Sequence, residues 1–91
     1  MELEKLKDPY VNRLFDAILL LENREECYRF FEDICTIGEV QSMAQRLQVA
    51  KMLKEGRTDT EIAQATGAST ATISRVKRFL HYGANGYNII L

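Results

Sequence analysis

The sequence predicts an all-α domain of five to six short helices that carries a helix-turn-helix. Three observations lead there. Apolar residues recur every three or four positions from Leu14 to Leu80, and no segment alternates with period two. Polar residues followed three positions later by glutamate mark helix starts at Asn23, Thr36 and Thr58. Glycines at 56, 67 and 83 mark helix ends.

Taken in order, Asp8-Pro9 places an N-cap acceptor before a proline at the first helical position, where a missing N–H costs nothing. Leu14, Phe15, Ile18 and Leu21 give that helix its apolar face. Asn23 with Glu26 opens a second helix on Cys27, Phe30, Phe31 and Ile34. Thr36 with Glu39 opens a longer one on Val40, Met43, Ala44, Leu47, Ala50 and Leu53, which Gly56 ends. Thr58 with Glu61 starts a short helix around Ile62 and Ala63 that stops at Gly67. Ser69 or Thr70 caps the next, which runs to about Tyr82. The remainder, ANGYNIIL, reads as a helical turn or an ordered tail, with Tyr87, Ile89, Ile90 and Leu91 forming an apolar patch suited to a partner subunit. The organisation expected is a single domain: a helical dimerisation body at about 8–56, the helix-turn-helix at 58–82 and a tail at 83–91.

A chain of 91 residues has little interior, yet 46% of its residues are hydrophobic. The excess points to a buried partner surface, most simply a second copy related by a twofold axis. Phe15, Ile18, Leu19, Phe30 and Phe31 supply more apolar area than a helix-turn-helix alone can cover.

Net charge is −1, but the two ends differ. Residues 1–40 hold ten acids, from Glu2 to Glu39, against five bases; residues 41–91 hold three acids against seven bases. An acidic body with a basic face fits a polyanionic partner. No run of about 18 apolar residues could span a membrane, and MELEKLKDPY lacks the apolar core of a signal peptide. Cys27 and Cys35, eight positions apart on one expected helix, would sit ~12 Å from each other, beyond the ~7 Å reach of a disulfide. They read as reduced core thiols of a cytoplasmic protein. His81 is the sole histidine, and no metal-ligand spacing, cofactor loop or nucleophile–base pair accompanies Ser69, Ser74 or Cys27. Catalysis, a metal and a cofactor are therefore not expected.

The chemistry concentrates in TGASTATISRVKRF, residues 66–79. Ala63 is small where two helices must cross steeply, Gly67 supplies the turn, and Ile73 follows six positions later. Ile73, Val76 and Leu80 form the stripe that packs the second helix down. The opposite face carries Thr70, Ala71, Ser74, Arg75 and Arg78, with Lys77 alongside. Small and hydroxyl residues allow close approach to base edges, and bases further along neutralise phosphates. No acid follows Glu61.

ICTIGEVQSMAQRLQVAKMLKEG and TEIAQATGASTATISRVKR resemble the tryptophan repressor superfamily, and the whole chain, with CYRFFEDICT and LHYGANGY, is similar to its short YerC/YecD-type branch. The resemblance implies an intertwined, all-helical homodimer whose paired recognition helices enter successive major grooves of an operator, about 34 Å apart. It implies DNA contacts at Ser69, Thr70, Ala71 and Ser74, largely through water, which suits small polar side chains.

The family's tryptophan pocket corresponds here to Thr36, Arg46, Thr72, Arg75, Val76 and Phe79. Val76 stands where the family has a glycine, and Phe79 where it has the serine that binds the ligand's amino group. Valine closes space, and phenylalanine removes a polar partner from a buried ammonium. The expectation is a repressor that does not respond to tryptophan, its effector unknown. Two alternatives stand beside it: a helix-turn-helix module that docks a protein without touching DNA, and a true tryptophan-dependent repressor. Thr36 also has a capping role, Arg46 could join an interhelical ion pair, and Arg75 could hold a phosphate.

Overall fold

Seven helices follow one another along residues 3–91, the part of the chain that this computed structural model describes. They are α1 (Leu3–Leu6), α2 (Pro9–Leu19), α3 (Arg24–Ile34), α4 (Ile37–Lys54), α5 (Asp59–Thr66), α6 (Thr70–Tyr82) and α7 (Gly86–Ile90). No strand occurs among the described residues, so the all-helical expectation holds. The sequence reading missed α1, because four residues carry no periodic signal. It left α7 open between a turn and a tail, and the segment is helical. Met1 and Glu2, which open the stretch MELEKLKDPY and include one of the N-terminal acids, lie outside the described residues.

The chain divides into two units, one ending at Thr36 and the other comprising Ile37–Leu91. In the first, Asp8 Oδ1 accepts from the Tyr10 and Val11 N–H groups at 2.8 and 2.9 Å, with Pro9 starting α2. Asn23 Oδ1 accepts from Glu26 N–H at 2.9 Å. The return bond differs from a standard box: Glu26 Oε1 accepts from Glu22 N–H, one residue before the cap, at 2.8 Å. Helix α3 ends at Ile34, so Cys35 is the extended C-cap rather than a helical residue. Cys27 and Cys35 are free and half-buried, less deeply placed than core thiols. No residue of α2 or α3 is buried; Phe15 is 51% exposed and Leu19 81%.

The second unit holds the core. Val49, Ala50 and Met52 of α4 pack with Ile62 of α5, Ala68 of the turn, and Ile73 and Val76 of α6. Leu53, Ala63 and Tyr87 lean on the cluster from its edges. This corrects the stripe read from the sequence. Of Val40, Met43, Ala44, Leu47, Ala50 and Leu53, only Ala50 is fully buried, while Met43 and Leu47 are each 41% exposed. The reason is that α4 is apolar on two sides. At 100° per residue, Val40, Ala44 and Leu47 lie opposite Val49, Met52 and Leu53, and only the second set faces α5 and α6.

The end of α4 is closed by backbone alone. Gly56 takes φ +82°, its N–H donates to the Leu53 carbonyl, and Arg57 N–H donates to the Met52 carbonyl, each at 3.1 Å. That pair of bonds is a Schellman closure, which turns the chain sharply into α5.

Ile62 has no exposed surface and is one of the largest side chains fully enclosed. Ile62→Ala is expected to destabilise the protein by about 2–5 kcal/mol, read from the urea unfolding midpoint, through lost burial and the cavity left behind.

Candidate nucleic-acid interface

Helices α5 and α6 form a helix-turn-helix whose geometry is fixed from both ends. Thr58 caps α5 with a reciprocal box: its Oγ1 accepts from Glu61 N–H at 3.2 Å, and Glu61 Oε1 accepts from Thr58 N–H at 3.2 Å. Arg57 adds an ion pair to Glu61 Oε2 at 3.3 Å. The Thr58 hydroxyl also donates to Glu61 Oε1 at 3.1 Å, and the bonds that reach the carboxylate favour its charged form. The Thr58 backbone N–H foremost, then the Thr58 hydroxyl and Arg57, hold the Glu61 pKa below its ordinary value.

The turn itself is a knot of short bonds. Gly67 takes φ +71°, a left-handed backbone that other residues adopt only with strain. Thr66 Oγ1 donates to the Ile62 carbonyl at 2.7 Å and accepts from Ala68 N–H at 3.1 Å. From α4, Gln45 Nε2 donates to the Thr66 carbonyl at 3.0 Å, tying the turn to the long helix. Ala68 then enters the core, and Ser69 begins α6 by accepting from Thr72 N–H at 3.1 Å.

With Ile73 and Val76 buried beneath it, α6 is held so that the residues on its far side are exposed. Ala71, Ser74, Arg75 and Arg78 share that outward face at helical spacing, and Thr70 flanks it. Tyr82, 87% exposed, extends the same line by one turn beyond Arg78. The first turn of α6 contains no acid. Exposed small and hydroxyl groups at one end and guanidinium groups further along can meet base edges and phosphates respectively.

Two of the sequence-derived cations are already engaged. Lys77 points away from the outward face, and its Nζ lies 3.0 Å from Asp59 Oδ1, joining α6 to α5. Arg78 lies over the Phe79 ring, 5.3 Å from its centroid. Stacking of this kind orients a guanidinium without neutralising it. Ser69 is also committed locally, since its hydroxyl donates to Thr72 Oγ1 at 3.1 Å while capping the helix.

A family model described as "Trp repressor protein" matches residues 10–91. This chain belongs to the Trp repressor family. Among curated relatives, the uncharacterized protein YerC of Bacillus subtilis (strain 168) is 57% identical over 91 residues, covering all of this chain and 88% of that protein. A solved structure of a candidate Trp repressor from Staphylococcus aureus superposes with a TM-score of 0.96 at 62% identity, covering all of this chain and 91% of that one. A TrpR-like protein from Eubacterium eligens ATCC 27750 superposes with a TM-score of 0.93 at 57% identity, covering 96% of this chain and 90% of that one. The fold is thus of the Trp repressor type, and the helix-turn-helix is that of a regulator family.

The residues matching the family's ligand pocket are variously employed. Val76 is 1% exposed and belongs to the core of its own unit. Thr72 is half-buried with its hydroxyl bonded to Ser69. Arg46 donates from Nε to the Ser42 carbonyl of its own helix at 3.3 Å, in place of the interhelical ion pair the sequence suggested. Phe79 is 48% exposed beneath Arg78. Arg75 stands on the outward face, and Thr36 belongs to the first unit. The sequence reading missed Asp59 as the partner of Lys77 and Gln45 as the anchor of the turn. Neither contact leaves a signal in spacing, because each joins positions on different helices.

The Glu61 bonds set an acid limit on this region. A carboxylate with a depressed folded-state pKa contributes stability in full above its unfolded value, about 4.3, and loses it as pH falls through the lower folded value. Thermal melts across the acid range should show Glu61→Gln less stable than the parent near neutrality, with the difference shrinking below about pH 4.

Proposed function

We propose that this protein is a sequence-specific DNA-binding transcriptional regulator, a repressor that occupies an operator in the cytoplasm as a twofold homodimer. One observation carries the reading. Burial of Ile73 and Val76 on one side of α6 leaves Ala71, Ser74, Arg75 and Arg78 exposed together on the other. Thr70, Ala71 and Ser74 would face the bases, Ser69 would cap the helix beside a phosphate, and Arg75 and Arg78 would hold phosphates on either side of the groove. Lys77 would add its charge to that field while bonded to Asp59.

Pairing of two chains supplies the second half-site. The single chain leaves Ile37, Met43 and Leu47 of α4 exposed, together with Leu19 and Leu20 at the end of α2. Exposed apolar side chains of this kind suit a subunit interface. In this reading residues 8–56 supply the dimerisation body, 58–82 read the duplex and 83–91 form a tail. Two recognition helices in successive major grooves would select half-sites one turn apart.

Tryptophan is not the corepressor in this reading. Val76 is enclosed by its own unit, and Phe79 offers no acceptor for an ammonium group. An unpartnered buried ammonium is costly enough to abolish useful affinity.

The deciding experiment is selection of bound sequences from a random duplex pool by the purified protein, with and without L-tryptophan. A palindrome with fixed half-site spacing, unchanged by tryptophan, is the expected result; no enrichment at low salt would point instead to a protein-docking helix pair. Arg78→Ala is expected to weaken binding of every duplex similarly and to flatten the log–log salt dependence by about 0.9. Titration calorimetry with L-tryptophan should show no micromolar binding isotherm.

A further inference from the structure

We propose that the groove bounded by the end of α4, the start of α5, the end of α6 and α7 binds a small organic phosphate. The groove is open to solvent and has a volume of about 520 Å³, within the ~300–1,000 Å³ usual for small-molecule sites. It lies wholly inside the second unit and on a different part of α6 from the family's tryptophan pocket.

Its charge is one-sided. Lys54, Arg57 and Lys77 line it with one carboxylate, Asp59, and once Glu61, paired to Arg57 at 3.3 Å, is counted, one positive charge is in excess. Lys77 is bonded to both Asp59 oxygens, at 3.0 and 3.3 Å, but the donors of Lys54 and Arg57 are not used up. Among the described residues, Lys54 Nζ meets only the amide oxygen of Asn88, at 2.9 Å, leaving an ammonium bonded to an uncharged group with further N–H bonds to give. The ion-pair partner of Arg57, Glu61, lies outside the lining, and one guanidinium N–H of five is spent on it. Positive charge in excess, with donors to spare, matches a phosphate group.

The rest of the lining selects against a bare ion. Leu53 and Leu80 are half-buried in the wall of the groove and offer carbon surface to whatever the phosphate carries. Gly56 leaves its side open, with nothing within 4 Å of where a Cβ would stand. A phosphate on the DNA backbone could satisfy the same cations, but it brings no apolar group to cover the two leucines. The free organic phosphate is therefore the better occupant.

The test is an NMR titration of the full chain, without DNA, using phenyl phosphate and inorganic phosphate as probes. Phenyl phosphate should bind roughly tenfold more tightly than inorganic phosphate, with shifts centred on the amides of Lys54, Arg57 and His81. Lys54→Ala should weaken phenyl phosphate roughly tenfold. Lys51→Ala, on the same helix but outside the groove, should leave it unchanged. Equal affinity for the two probes, shifts spread over the molecule, or indifference to Lys54→Ala would overturn the proposal. So would movement of the groove resonances by a duplex and not by phenyl phosphate, which would assign the cations to the DNA backbone. Because the titration contains no DNA, its outcome is independent of whether the operator reading holds.

Discussion

The second unit depends on the closure of α4 over the helix pair. Val49 and Ala50 have no exposed surface and pack with Ile62, Ile73 and Val76, so three helices share one apolar cluster. Each buried aliphatic side chain of this kind contributes about 1.5–3 kcal/mol. The direction of α6, and with it the exposure of Arg75 and Arg78, follows from which of its residues are captured. Ala50 and Ala68 matter here by being small, since a larger side chain at either buried position would hold the helices apart.

Polar contacts refine what packing sets. The Thr58–Glu61 box begins α5, Gly67 and Thr66 shape the turn, and Gln45 ties that turn back to α4. Asp59 and Lys77 add a link between the two helices on the side away from the outward face. These are exposed or half-exposed interactions of modest individual strength. Their value lies in agreement: each favours the same crossing that the apolar cluster requires.

Several residues at the family's ligand-pocket positions make other contacts in this chain. Val76 is taken up by the core, and Phe79 supports Arg78 instead of offering a polar group. Arg46 and Thr72 have local hydrogen bonds within their own helices or caps.

The sequence by itself determined most helix limits, but not α1, the helical state of α7 or the end of α3 before Cys35. Asp8-Pro9, Asn23, Thr58, Gly56, Gly67 and Ser69 act through bonds within a few residues of themselves, so their effects could be read in order along the chain. The outward face of α6 was legible for the same reason, because helical spacing alone places Ala71, Ser74, Arg75 and Arg78 together. The buried side of α4 was not legible. That helix is apolar on opposite sides, and only the arrival of α5 and α6 decides that Val49 and Met52 are enclosed while Met43 and Leu47 stay exposed. Tertiary structure alone likewise paired Lys77 with Asp59, Gln45 with the Thr66 carbonyl and Lys54 with Asn88. Local geometry follows from short-range hydrogen bonding, whereas the choice between two equally apolar faces depends on what packs against them.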